Sequence, residues 1–167
     1  MTEWQDNPTP RSLDTSRANT FPWPPVLLVL WGLAAWFIGG RFVLDWPGAD
    51  DMPAHIVGWG IGAGGLALIG WAAWELHKHK TTIRPDGTST ALVTTGPYAL
   101  LRNPIYVGDA MLLLFCGELS KNVWFILAAA LFSLSVTVLQ IIPEERHLEA
   151  RFGDVYLDYK RRTRRWI

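Results

Sequence analysis

The sequence predicts an all-α, polytopic integral membrane protein with about four transmembrane helices and a cytoplasmic, amphipathic C-terminal helix. Three observations predict this class. Hydrophobic residues make up 50% of the 167 residues, they are concentrated in long runs, and basic residues gather between and after those runs. Such a composition is too apolar for an ordinary soluble domain of this length.

Three apolar runs are long enough to cross a bilayer core of about 30 Å, which requires about 20 residues per helix. They are residues 22–40, extended to Leu44 beyond Arg41, residues 56–74 and residues 122–142. A shorter apolar segment, residues 104–117, is interrupted only by Asp109. Residues 118–122 join it to the last run, so the third and fourth spans are expected to form a tight helical hairpin.

The distribution of lysine and arginine predicts the orientation, because these residues favour cytoplasmic loops. With four spans, only Arg41 and Lys121 among the fifteen basic residues fall on the outer side. We therefore expect residues 77–103 and both termini in the cytoplasm. Residues 1–20 are expected to form a polar tail, and residues 21–167 a single membrane-embedded domain.

Composition argues against several other kinds of site. The formal net charge is zero, so the chain has no overall attraction for nucleic acid. Cys116 is the one cysteine, which excludes an intrachain disulfide, and its apolar neighbours predict a buried thiol. The four histidines are scattered and do not match a metal-ligand spacing, so no metal site is expected.

The segment TTGPYALLRNPIYVG, residues 94–108, leads into the short third span. Pro104 suits the first position of the helix that it opens. The N–H groups and positive dipole end of that helix would favour an anionic group such as a carboxylate, and Arg102 adds a planar donor fork. Tyr98 and Tyr106 supply aromatic faces for a flat heterocycle or a cation. The alternative interpretation is an aromatic belt with a snorkelling arginine.

A second group of polar residues follows the last span. Pro143 is expected to end that span, and Glu144 and Glu145 come directly after it. Apolar side chains then recur at helical spacing and predict the amphipathic helix; they are Leu148, Phe152, Val155, Tyr156 and Tyr159. The two glutamates would complement a helix dipole. On the same side of the membrane as Arg102, they would also suit a zwitterionic ligand or a ribose diol.

The blocks ALVTTGPYALLRNPIYVG and EERHLEARFGDVYLDYKRR resemble the isoprenylcysteine carboxyl methyltransferase and phospholipid methyltransferase superfamily of integral membrane enzymes. The resemblance covers residues 75–167 and implies S-adenosylmethionine as the methyl donor. The donor-contacting positions that it implies are Thr90, Ala91, Leu92, Val93, Tyr98, Asn103, Pro104, Tyr106 and Glu144, to which the chemistry described above adds Arg102 and Glu145. Arg102, Asn103 and Tyr106 are the residues expected at the reacting groups.

Two departures from the carboxyl methyltransferases leave the acceptor open. Asn103 stands where they have histidine, and Gln140 where they have a substrate-contacting arginine. We expect a hydrophobic or lipid-borne acceptor, with a carboxylate or a thiol favoured and a phospholipid amine as the alternative. Membrane lipids are the other expected partners. The competing interpretation is a small four-helix transporter or scaffold protein, for which Asp109 is the motivating feature because intramembrane carboxylates are commonly functional.

The predicted orientation has a direct test. A reporter fused after Ile167 should be accessible only from the cytoplasm, since the basic residues concentrate on that side. Accessibility of the reporter only from outside would contradict the assignment.

Overall fold

The computed structural model describes residues 23–44, 52–79 and 92–167. These residues form the helices α1 Trp23–Arg41, α2 Met52–Lys78, α3 Pro104–Ser120, α4 Trp124–Val136, α5 Ile142–Phe152 and α6 Asp154–Arg162. A 3₁₀ turn, Gly96–Ala99, precedes α3, and a π-helical turn, Thr137–Ile141, joins α4 to α5. The predicted tail of residues 1–20, together with Thr90 and Ala91, lies outside the described residues.

Within the described ranges, three helical stretches are long and apolar enough to cross a membrane: Trp23–Arg41, Met52–Lys78 and the continuous stretch Trp124–Phe152. Helix α3 has 17 residues, which corresponds to about 26 Å at 1.5 Å per residue. The predicted helical class is confirmed, and three of the described helical stretches have the length and apolarity of membrane spans. Crossing of the bilayer by α3, and with it the count of four spans, stays a prediction.

Glycines bring α2 and α3 into backbone contact. Gly58, Gly62 and Gly65 of α2 are buried. A Cβ atom at Gly65 would lie 3.1 Å from the carbonyl oxygen of Gly108, and one at Gly108 would lie 2.9 Å from the carbonyl oxygen of Gly65. Because lipid tails are as apolar as the helices, close van der Waals packing is what holds such a pair together.

The turn between α3 and α4 confirms the predicted tight hairpin. Lys121 adopts a left-handed conformation with φ of 50°. The side chain of Asn122 then donates to the Ala35 carbonyl (3.0 Å) and accepts from the Trp124 amide (3.0 Å). The turn is thereby attached to α1, which also packs along α4 through buried Leu27, Ala35 and apolar residues of the hairpin.

The helical backbone continues through Pro143, so the proline does not end the helix, and the end of the membrane span at Pro143 stays a prediction. In a regular helix a proline ring clashes with the carbonyl four residues earlier, and the proline lacks an amide donor. Here the five-residue π turn comes directly before α5, in whose first turn Pro143 lies. The wider backbone of a π turn relieves this conflict without ending the helix.

The C-terminal amphipathic region consists of two helices, not the single helix expected. Gly153 separates α5 from α6, with φ of 53° and ψ of −128°, a conformation that glycine adopts far more readily than other residues. The break turns α6 so that Tyr156 and Tyr159 are buried. Val155, which was expected on the same apolar face, is 65% exposed.

The expectation of a buried Cys116 is also wrong, because the thiol is exposed. It lines a groove of about 730 Å³ between the end of α1 and the α3–α4 hairpin, together with Trp36, Leu119 and Phe125. An apolar run does not distinguish buried from exposed positions in a helix that faces hydrocarbon, since both environments are apolar.

The glycine contact between α2 and α3 predicts opposite effects for two alanine substitutions. Gly108→Ala should lower the free energy of unfolding in detergent by about 1–3 kcal/mol, because inserting a methyl group into a close contact is destabilising. The new Cβ atom would overlap the Ile69 side chain and the Gly65 backbone of α2. Gly70→Ala, which meets nothing within 4 Å, should be neutral or stabilising by up to about 1 kcal/mol through helix propensity. Equal melting temperatures for the two variants would contradict the contact.

Candidate active site

Glu145 holds together the end of the bundle at which α3 begins. Glu145 is buried, with 6% of the residue exposed. Arg102 donates through Nε to Glu145 Oε1 (3.1 Å), while Arg165 donates through Nε to Oε1 (3.0 Å) and through Nη2 to Oε2 (2.6 Å). The bond to Glu145 raises the pKa of Arg165 above its ordinary value. A buried carboxylate requires such compensation.

Residues 163–166, which we call the C-terminal strap, run beside the segment that leads into α3. The Arg164 amide donates to the Leu100 carbonyl (2.9 Å), and the Arg102 amide donates to the Arg164 carbonyl (2.8 Å). Arg102 Nη1 also donates to the carbonyl oxygen of Thr163 (2.5 Å). The strap and the loop before α3 therefore form one hydrogen-bonded unit.

Two further hydrogen bonds made by side chains attach the strap at Arg165 and Trp166. Asn103 Nδ2 donates to the Arg165 carbonyl (3.2 Å). The indole of Trp166 donates to the hydroxyl of Thr137 (3.1 Å), which lies in the π turn. The sequence suggested that Arg102 and Asn103 contact a ligand, and the structure places Arg102 Nε and Nη1 and Asn103 Nδ2 on acceptors within the protein.

Tyr98 lies in the 3₁₀ turn and is buried. Its carbonyl accepts a hydrogen bond from the hydroxyl of Tyr159 in α6 (2.9 Å). Burial, with smaller contributions from Tyr159 and Glu144, raises the pKa of the Tyr98 hydroxyl well above its ordinary value. Burial likewise raises the pKa of Tyr159 to about 12. Both phenols therefore stay protonated near neutral pH, and the Tyr159 hydroxyl can donate its hydrogen bond.

Tyr98, Tyr106 and Glu144 form a group that we call the tyrosine–glutamate cluster. The Glu144 carboxylate is close enough to both phenols to interact with them electrostatically. The Gln140 side chain faces Glu144, yet neither its amide nitrogen nor its amide oxygen has a hydrogen-bond partner of acceptable geometry in the described part of the chain. A fully buried amide without a well-formed hydrogen bond is uncommon in folded proteins.

The other residues suggested by sequence surround this cluster. Val93 is buried with Tyr98 and Ala72 in a small apolar cluster, and Leu92 is partly buried. Pro104 is the first residue of α3, as predicted, and is fully buried. Asp109, on which the transporter interpretation rests, is partly buried in α3.

Sequence reasoning missed several residues that shape the site: Glu75, Thr95, Thr163, Arg165 and Trp166. Glu75 carried one usable signal, since it is a lone carboxylate at the end of an apolar run. Arg165 and Trp166 of the strap also act through their side chains, but the contacts that the strap makes through backbone carbonyls have no signal in the sequence.

Parts of the chain are similar to known proteins. The sequence profile of the family described as phospholipid methyltransferase matches residues 53–155. The nickel-cobalt-cadmium resistance protein NccN of Alcaligenes xylosoxydans xylosoxydans is 36% identical over 102 residues, which are 59% of this chain and 43% of that protein. An uncharacterized protein of Haemophilus influenzae is 44% identical over 41 residues, 25% of this chain and 65% of that protein. The match thus spans less than two thirds of either relative, and no solved structure matches significantly.

Removing the charge of Glu145 should loosen the hydrogen bonds between the C-terminal strap and the loop before α3. Glu145→Gln should destabilise the protein by about 3 kcal/mol, because removing one partner leaves buried charges uncompensated. Amide hydrogen exchange at Arg102 and Arg164 should then accelerate. Glu149→Gln is the control, since Glu149 pairs with Lys160 at a more exposed position and should change stability by less than about 1 kcal/mol. Unchanged exchange in Glu145→Gln would show that the strap is held by other contacts.

Proposed function

The chain belongs to the phospholipid methyltransferase family of integral membrane enzymes, and on that premise we propose that it transfers a methyl group from S-adenosylmethionine to a hydrophobic or lipid-borne acceptor. One observation carries the proposal. Tyr98, Tyr106 and Glu144 come from three separate segments and gather where α3 begins. Aromatic faces beside a carboxylate favour a cation, and the donor is a sulfonium cation.

The start of α3 suits the donor's carboxylate. The first turn of α3 has no acidic side chain, so its positive dipole end and backbone amides favour an anion. Arg102 was the other candidate for this role, but it donates to Glu145 and to backbone carbonyls. We therefore assign the carboxylate to the helix end, and to Arg102 and Asn103 the task of fixing the loop that leads to it.

The two adjacent glutamates have different partners and therefore different proposed roles. Glu145 is held by Arg102 and Arg165, whereas Glu144 interacts with the two tyrosines and with Gln140. Glu144 is thus the carboxylate that would accept hydrogen bonds from the donor's ribose hydroxyls or amino group. Leu92 and Val93, beside Tyr98, would form an apolar wall for the adenine.

The bound donor supplies an activated methyl carbon, so the protein's task is to orient the acceptor and exclude water. The arginines of the site are already paired with Glu145, and Gln140 is neutral. An acceptor carboxylate would therefore lack a compensating cation, which favours a thiol or an amine that arrives uncharged. A site at the membrane surface, as the sequence predicts, would favour delivery from the lipid, where an apolar acceptor is already concentrated.

Labelled donor provides the test. Protein in lipid nanodiscs should bind labelled S-adenosylmethionine and transfer the label to a membrane-partitioned thiol or amine in preference to a carboxylic acid. Glu144→Gln should weaken donor binding by roughly tenfold or more, because a hydrogen bond to a charged group contributes about 1.5–3 kcal/mol.

The matched control is Glu149→Gln, which alters a carboxylate of the same helix at an exposed ion pair and should bind the donor normally. Absence of donor binding by the unsubstituted protein would overturn the proposal. Equal binding by Glu144→Gln and the control would remove Glu144 from the site.

A further inference from the structure

Glu75 is a buried carboxylate near the end of α2 that the preceding chemistry does not use. It is 5% exposed, although it lies only one turn from the end of a helix whose neighbouring side chains Trp74, His77 and Lys78 are exposed. Burying a carboxylate is unfavourable unless it gains specific partners. Its partners therefore indicate why an acidic residue occupies this position.

Those partners lie in the loop that carries Tyr98. The hydroxyl of Thr95 donates to Glu75 Oε1 at 2.5 Å. Gly96 packs directly on the same carboxyl group, since a Cβ atom there would lie 3.0 Å from Glu75 Oε2. Gly96 has φ of 60°, so the backbone turns sharply at this contact. His79 approaches from α2 itself, with Nδ1 3.7 Å from Glu75 Oε1 and 2.9 Å from the Glu75 carbonyl.

The loop thus contacts α2 at two positions, Glu75 and Ala72. Ala72, one turn before Glu75, is fully buried in a cluster with Tyr98 and Val93. The Tyr98 amide in turn donates to the Thr95 carbonyl (3.2 Å). Thr95 is therefore fixed to Glu75 by its side chain and to Tyr98 by its backbone, with only two residues between them.

We propose that Glu75 is a positioning residue for methyl transfer: through Thr95 and Gly96 it sets the 3₁₀ turn and thereby directs Tyr98 toward the donor. This inference rests on the proposed function. A carboxylate serves here because a charged acceptor makes a shorter and stronger hydrogen bond than a neutral one. The cluster around Ala72 fixes the ring of Tyr98, and Tyr159 holds the Tyr98 carbonyl, whereas Glu75 holds the beginning of the turn at Thr95 and Gly96.

Glu118 provides a matched comparison within the same helix pair. It is 7% exposed, lies at the opposite end of α3, and binds His55 (2.9 Å) and Lys121 (2.6 Å). Both carboxylates are thus buried near an α2–α3 contact, but only Glu75 is bound to the Tyr98 loop. A purely stabilising role would give similar results for both.

The test measures donor affinity and stability together in Thr95→Val, Thr95→Ser, Glu75→Leu and Glu118→Leu. Thr95→Val should raise the Kd for S-adenosylmethionine by about tenfold, the effect of losing one charge-assisted hydrogen bond, and Thr95→Ser should restore it. Combining Glu75→Leu with Thr95→Val should add little, because both remove the same bond. Glu118→Leu should lower the melting temperature and leave the Kd unchanged.

Amide hydrogen exchange separates this inference from the proposed function. If the unsubstituted protein binds no donor, the proposed function fails, and the positioning of the turn is still decided by exchange at Tyr98 and Leu100. Faster exchange in Thr95→Val than in Thr95→Ser supports positioning by Glu75. Equal exchange or equal donor Kd in those two variants would overturn it, and neither measurement requires Glu75→Leu to fold.

Discussion

The buried carboxylate of Glu145 is the contact on which the end of the molecule around the candidate site depends. It brings together the loop before α3, the helix that continues from the last apolar span, and the C-terminal strap. Without this common partner, Arg102 and Arg165 would be two cations on adjacent segments that repel each other. With it, they are neutralised, and the backbone bonds between Leu100, Arg102 and Arg164 can form. The loop that leads into α3 and the C-terminal strap are held together by this arrangement.

The bilayer imposes a different constraint on the rest of the chain. Apolar surface gives little advantage to one helix arrangement over another in lipid, so packing depends on close backbone approach and on polar contacts. The glycines between α2 and α3 allow the close backbone approach. Glu75 and Glu118 make polar contacts near the two ends of this helix pair. The short α3, which opens the site, is therefore held against α2 along its length. This rigidity suits a loop that must hold Tyr98 in one place.

Much of the fold could be predicted because its signals are local. Uninterrupted apolar runs located the long helices, Pro104 located the start of α3, and residues 118–122 indicated the hairpin. Tyr98, Tyr106 and Glu144 were predicted as site residues through chemistry and resemblance together, and the structure brings them close enough to interact. The exposure of Cys116 could not be predicted, since lipid-facing and buried positions are both apolar. Nor could the strap, because backbone carbonyls are present at every residue and their use depends on the tertiary fold.

The π turn before α5 also determines helix phase. Each residue of an α-helix turns the chain by about 100°, and a π turn contains one residue more than the α-helical path would need. If the same residues were wound as an uninterrupted α-helix, each following side chain would stand in the place of its successor. Glu144 would then lie beside Arg102 and Arg165 in place of Glu145, and Pro143 would lie beside the tyrosines in place of Glu144. The arginines would keep a carboxylate and the tyrosines would lose theirs, so the charge beside Tyr98 and Tyr106 depends on the winding of a turn that contains none of these residues.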